Sequence, residues 1–146
     1  MSIPAGPDRL SRVETRSTNP EEDATRYLCL IYRADEAVER LSRPEFDALV
    51  TEALAYDDAL RGSGHYLASG ALQSVQTATT IRIKGGRTLA TDGPFAETKE
   101  QLGGFILIEA RDLDDAIRVA SKIPPARLGC IEVRPIRELP MPPRSP

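Results

Sequence analysis

The chain holds one histidine, His65, and two cysteines, Cys29 and Cys130, about a hundred residues apart. Cysteines so placed form no disulfide framework, and no Cys-x-x-Cys or His-Glu-x-x-His pattern is present to start a metal site. The nearest approach to a phosphate-cradling loop is Gly85-Gly86, which is too short to hold a diphosphate. Basic side chains number 19 against 22 acidic ones, and a net charge of −3 gives no support to a nucleic-acid binder. No apolar run reaches the ~20 residues that cross a bilayer. Met1 to Asp23 contain no apolar stretch of the secretory type. These absences lead to an expectation: a cytoplasmic protein with no metal, no cofactor, no nucleic-acid partner and no membrane association.

What remains is 146 residues, 40% of them apolar and 28% charged, the composition of one globular domain. Seven of the twelve prolines lie outside residues 26–137. Residues 1–25 lack aliphatic periodicity and are expected to be a disordered tail, because they bury too little apolar surface to offset ordering entropy. Residues 138–146 read as a second tail, leaving residues 26–137 as the domain.

Within the domain, Tyr27–Arg33 is a run of strand formers. Ser42-Arg-Pro-Glu45 has the spacing of a capping box, and Phe46, Leu49, Val50, Ala53, Leu54 and Leu60 follow at helical intervals. Gly62-Ser-Gly64 ends that helix. A short extended piece, Ala71 to Gln73, comes next. Thr79–Lys84 alternates with period two, Gly85-Gly86 supplies a two-residue hairpin loop, and Arg87–Thr91 returns. Gly104–Ala110 is a further strand. Asp112 caps a second helix, Pro124-Pro125 prevents its continuation, and Cys130–Ile136 is the last strand.

The order β-α-β, hairpin, β-α-β predicts an α+β fold, a ferredoxin-like βαββαβ unit with an added β-hairpin. In Tyr27–Tyr32 and Phe105–Ile108 both alternating faces are apolar. A sheet with helices on one side should show a polar second face. The expected cover is the sheet of a second subunit, hence a homodimer, the alternative being the hairpin.

The segment from Thr91 to Phe105 is the most distinctive. Asp92, Gly93 and Pro94 combine three turn-forming chemistries, and Phe95, Glu97, Lys99 and Glu100 follow before Gly103-Gly104. A polar loop between apolar strands is where binding groups tend to be mounted; the alternative is a solvated turn without a ligand. His65 follows the helix-ending glycines, and imidazole is the side chain that ordinarily gains and loses a proton near neutral pH. Placed near the loop, His65 would be the proton carrier and Asp92 its orienter or the acid/base itself; away from it, His65 is a surface residue.

Asp57 falls inside the apolar arc of the first helix. A partly desolvated carboxylate there is the kind of group enzymes use as an acid or base. The alternative is a frayed last turn that frees Asp57 to reach water or Arg61. Tyr32 and Phe95 are candidate pocket walls, and Arg82, sharing a face with Lys84, is a candidate counter-charge for an acidic ligand, or part of a solvated hairpin face. Glu97 and Lys99 suit either a ligand or a subunit interface. Cys29 and Cys130 read as buried strand cysteines.

Asp92-Gly-Pro-Phe95 with Ala-Glu-Thr-Lys-Glu-Gln-Leu-Gly-Gly-Phe105 resembles the DGPF family, within the YCII-related proteins. Leu28–Tyr32, Ala71–Gln73, Thr77–Thr80, Lys84–Arg87 and Ile131–Pro135 also fit. The resemblance implies a dimeric α/β barrel of two ferredoxin-like subunits packed sheet on sheet. It also implies a small cofactor-independent enzyme with a His–Asp pair in a pocket, working on a small cyclic or acidic molecule by acid/base, lyase- or isomerase-like chemistry; one relative acts on a chlorinated hydroxyquinone. The alternative it implies is a non-catalytic ligand-binding or regulatory module linked to extracytoplasmic-function sigma factors. The chain departs from the pattern at Pro44-Glu-Phe-Asp47, where the family histidine is missing, so the pair carries over only through Asp92.

Overall fold

The structure, a computed structural model, describes residues 24–143. Most of the expected N-terminal tail lies outside the described residues, and so do the last three residues of the expected C-terminal one. Strand β1 (Thr25–Arg33) leads through a short helix α1 (Asp35–Glu39) to the long helix α2 (Arg43–Ser63). Then come β2 (Tyr66–Ala71), the hairpin strands β3 (Thr79–Lys84) and β4 (Arg87–Asp92), β5 (Gln101–Ala110), α3 (Leu113–Ala120) and β6 (Gly129–Pro135). Short 3-10 helices at Val75–Thr77 and Pro124–Leu128 fill two of the connections.

Four strands form an antiparallel sheet in the order β2-β5-β1-β6. That order, with crossovers through α2 and α3, is consistent with a ferredoxin-like α+β fold. The hairpin pairs only with itself. Its glycine loop works as the sequence requires: Gly85 and Gly86 both have positive φ, 57° and 76°.

Local chemistry sets the helix ends. Ser42 Oγ accepts from Glu45 N at 3.2 Å, and the Glu45 carboxylate accepts from Ser42 N at 3.0 Å, a complete capping box. These bonds from Ser42 hold the Glu45 pKa below its ordinary 4.5. Gly64 closes α2 in the left-handed conformation at φ 82°. Asp112 caps α3 by accepting from Asp115 N at 2.8 Å.

Alternation along the strands divides the sheet into two faces. Tyr27, Cys29 and Ile31 of β1 and Ile106, Ile108 and Ala110 of β5 face the helices and are buried. Ala116, Val119 and Ala120 of α3 and Leu60 of α2 close over them. Burial raises the Cys29 thiol pKa to about 11. On the open face Leu28 and Leu30 stand beside Leu107 and Phe105, all half-buried. The hairpin does not seal that face: Ile81, Ile83 and Leu89 are exposed on its own two surfaces. Cys130 is exposed rather than buried, because its register partner is Tyr32 of the open face.

Other boundaries differ from the sequence expectation. The strand before the hairpin is Tyr66–Ala71, not Ala71–Gln73, because it must pair with the whole apolar half of β5. Strand β5 begins at Gln101, with a register shift between Ile31 and Tyr32 that leaves Gly103 as the extra residue of a bulge.

Candidate functional site

Helix α2 meets the sheet only at its C-terminal end. There Leu60 is buried and Tyr56 O–H donates to Val119 O at 2.6 Å, tying α2 to α3. Burial raises the Tyr56 pKa, and the neighbouring Cys29 adds to the shift. Toward the N-terminus Phe46, Val50 and Leu54 remain 41–61% exposed although they lie on the apolar arc. The helix thus stands off the sheet and leaves a cleft of about 450 Å³. That volume lies within the range of small-molecule sites.

The cleft has three walls. Phe46, Leu49, Val50, Ala53 and Leu54 come from α2; Ile31, Ile106 and the glycines Gly103 and Gly104 come from the sheet; Pro124, Pro125 and Leu128 complete it. The glycine pair has a steric reason. A Cβ on Gly104 would lie 2.8 Å from Gly70 O, and one on Gly103 would lie 2.5 Å from Arg33 Nε. The bulge therefore lets the Arg33 side chain lie along β5, where it donates to Leu72 O at 3.3 Å and faces Asp35 Oδ1 at 3.7 Å.

Few polar side chains reach this lining: Arg33, Asp57 and Ser69, together with Tyr56, whose hydroxyl is bonded away. Ser69 Oγ donates to Asp57 Oδ2 at 2.9 Å. With its own O–H directed to Asp57, Ser69 accepts from Tyr66 O–H at 2.8 Å. The Arg61 guanidinium stacks over the Tyr66 ring, 4.2 Å from its centroid. Asp57 is thus the end of a hydrogen-bond chain, not a residue of a frayed turn. Helix α2 continues to Ser63, and Arg61 pairs with Asp58 instead. The helical wheel pointed to Asp57; Ser69 carried no sequence signal, because β2 is short and interrupted by glycine.

His65 sits elsewhere. Its Nε2 lies 3.0 Å from Asp115 Oδ2 and its Nδ1 2.7 Å from Ser63 Oγ. Asp115 also accepts from Arg111 N at 3.1 Å, and Arg118 approaches at 3.6 Å. Burial works to raise the Asp115 pKa, but the bonds from Arg111 N and His65 and the charges of His65 and Arg111 outweigh it and hold the pKa below 3.8. This cluster joins the start of β2 to the start of α3, at the end of β5 where Glu109 N donates to His65 O.

Asp92 belongs to the other end of β5. It closes the hairpin opposite Thr79 and is exposed, and the loop after it runs to Gln101. No hydrogen bond or ion pair joins it to His65, so the structure does not assemble the expected His65–Asp92 pair. Gly93 has φ 98°, donates its N–H to Ala78 O and accepts from Thr80 Oγ1, which fixes the turn before Pro94. Phe95 is 78% exposed. Glu97 and Lys99 are exposed as well, and Gln101 Nε2 ties the loop to Ala96 O and Thr98 O. Arg82 is exposed on the hairpin, and Tyr32 points to the open face, away from the cleft.

A family model for the YCII-related domain matches residues 25–140. The chain is a YCII-related protein. An uncharacterised protein of Rhizobium meliloti (strain 1021) is 34% identical over 112 residues, which cover 75% of this chain and 90% of that one. The matched segment of this YCII-related protein spans both the cleft and the His65–Asp115 cluster. No helix among its described residues is long and apolar enough to cross a membrane.

Proposed function

We propose that the protein binds a small, ring-sized and largely apolar organic molecule in the cleft beneath α2, and that Asp57 gives this cleft acid/base chemistry without a cofactor. The observation that carries the proposal is the combination of an apolar cleft of about 450 Å³ with one carboxylate mounted on a hydrogen-bond chain. Of the lining groups only Asp57 is equipped to take or give a proton, since Arg33 stays charged and the Tyr56 hydroxyl is engaged. A regulatory module linked to sigma-factor control would keep the same cleft and drop the proton chemistry. The motif from Asp92 to Phe105 supports the finer assignment to the DGPF group.

The test is a ligand screen by NMR with small cyclic compounds, on wild type and Leu54→Trp. Leu54 is 61% exposed, so tryptophan fills the cleft without disturbing the core. Binders should shift cleft signals such as Gly104 and Leu72 and lose affinity in the filled variant. A screen without such a binder overturns the reading. Turnover is read as solvent deuterium entering a bound compound, lost in Asp57→Asn.

The open sheet face favours a second reading: a homodimer packed sheet on sheet, as in an α/β barrel. Leu28, Leu30, Phe105 and Leu107 support it as a contiguous apolar patch that no element among the described residues covers. In such a dimer the loop from Asp92 to Glu100 and the hairpin with Arg82 are free to meet the partner.

A further inference from the structure

The hydrogen-bond inventory of the cleft specifies more than size. Ser69 has spent its only proton on Asp57 and accepts from Tyr66, so it has no proton to offer a ligand. Arg33 gives one N–H to Leu72 O and has Asp35 as its counter-charge at 3.7 Å, and its other N–H groups carry no hydrogen bond among the described residues. Tyr56 O–H is committed to Val119 O. The unpaired charge in the lining is of one kind: Arg33 has Asp35 as its counter-charge, and Asp57 has no ion-pair partner among the described residues. Among the described residues Asp57 Oδ1 takes no hydrogen bond, and an ionised carboxylate offers about four acceptor sites of which Ser69 fills one. Around the cleft the two helices carry a net negative charge, although Asp57 is their one acidic residue in the lining. Residues 35–63, which form α1 and α2, carry eight acidic and three basic side chains.

We infer that the ligand of this cleft is a small apolar molecule bearing a protonated amine, with the ammonium on Asp57 and the body against Phe46, Val50, Leu54 and Leu128. This rests on the cleft being the binding site. The physical reason is charge matching beside an apolar wall. An ammonium meets an acceptor with unused capacity, and burial strengthens the pair. A hydroxyl makes the same bond without the charge. A carboxylate is repelled by Asp57 and meets only Arg33, whose charge Asp35 already balances. The acidic or phenolate ligand suggested by the basic hairpin face is thus the wrong sign for this cleft.

A matched probe series separates the possibilities: 2-naphthylmethylamine, 2-naphthylmethanol and 2-naphthoate, each titrated into the full-length protein at pH 7. The protein has no tryptophan, so naphthalene fluorescence can be followed directly. The amine should bind at least tenfold more tightly than the alcohol, and the naphthoate should be weakest. Asp57→Asn should abolish the preference, the amine losing about tenfold more affinity than the alcohol. Leu54→Trp, followed by NMR, should weaken all three. Naphthoate binding most tightly, or an amine preference that survives Asp57→Asn, overturns the inference while leaving the cleft as the site. Binding of no probe overturns the site and the inference together.

Discussion

His65 Nε2 and Asp115 Oδ2 lie 3.0 Å apart, which makes the single histidine a partner of α3 rather than of the loop that begins at Asp92. Both residues are fixed before their side chains meet. His65 N donates to Leu60 O and its carbonyl accepts from Glu109 N, while Asp115 is held by the Asp112 cap. The pair therefore clamps three elements: the end of α2, the start of β2 and the start of α3. A carboxylate with 9% of its side chain exposed, bonded to an imidazole and a backbone N–H, is a stability element with a pH dependence of definite sign.

That sign follows from the lowered pKa of Asp115. A carboxylate with a depressed folded pKa stabilises the fold above its ordinary value near 3.8, and the contribution disappears as pH falls through the depressed value. Asp115→Asn should lose ~1–3 kcal/mol at pH 7, the cost of weakening a buried hydrogen-bonded charge. The gap between wild type and variant should narrow below pH 4. Urea unfolding at pH 7, 4 and 3 measures this. A gap independent of pH would show that the carboxylate charge contributes nothing.

Signals in the sequence are legible where their cause is local. Ser42 and Glu45 cap within one turn, Gly85-Gly86 closes a loop between adjacent residues, and Asp112 reaches three residues ahead. The positions of His65 and Asp92 could not be read this way. Each lies in a loop, and which end of β5 each loop meets is decided by strand order. Asp115 did leave a trace: it precedes Val119 by one helical turn, on the face of α3 that is buried. Asp57 left a similar trace. The helical wheel placed it on the apolar arc, but only the stand-off of α2 turns that arc into a cleft wall. The short helix α1 carries neither a side-chain cap nor a buried residue, so it had no pattern to reveal it.

The adjacent glycines of the bulge should respond differently to alanine. At Gly104 the added Cβ meets backbone, Gly70 O at 2.8 Å, and the strands must part. Gly104→Ala should therefore destabilise by ~1–3 kcal/mol, as overpacking does. At Gly103 the obstacle is the flexible Arg33 side chain. Gly103→Ala should retain most of its stability while moving Arg33 off Leu72 O. Thermal melts of the two variants, with NMR of the Leu72 region, provide the comparison. Equal losses would refute the assignment of the two glycines to different obstacles.

The two thiols should separate cleanly by chemistry. Cys29 is fully buried, with its pKa pushed up to about 11, so it presents almost no thiolate at pH 8. Cys130 is exposed on the open face. Iodoacetamide followed by peptide mass spectrometry should find Cys130 modified and Cys29 untouched until the protein unfolds. Modification of Cys29 in the native protein would mean that the core around β1 opens readily.

The same open face makes the oligomer testable with one substitution. A stable interface buries roughly 1,200–2,000 Å² and has an apolar centre. Leu107 sits in the middle of β5, between β1 and β2, with Leu28 opposite it. Leu107→Asp places a charge at the centre of the proposed interface and leaves the helix-side core of Cys29, Ile106 and Ile108 intact. Sedimentation velocity should give twice the chain mass for wild type and the chain mass for the variant, with far-UV circular dichroism unchanged. The hairpin variant Ile83→Asp is the companion, because Ile83 is 73% exposed and belongs to the separate two-stranded sheet. If Ile83→Asp dissociates the dimer and Leu107→Asp does not, subunits meet through the hairpins and the sheet face faces solvent. A wild type that sediments as a single chain at micromolar concentration removes the dimer altogether. The Cys130 labelling rate then shows no dependence on dilution, whereas a sheet-on-sheet dimer protects that thiol more as concentration rises.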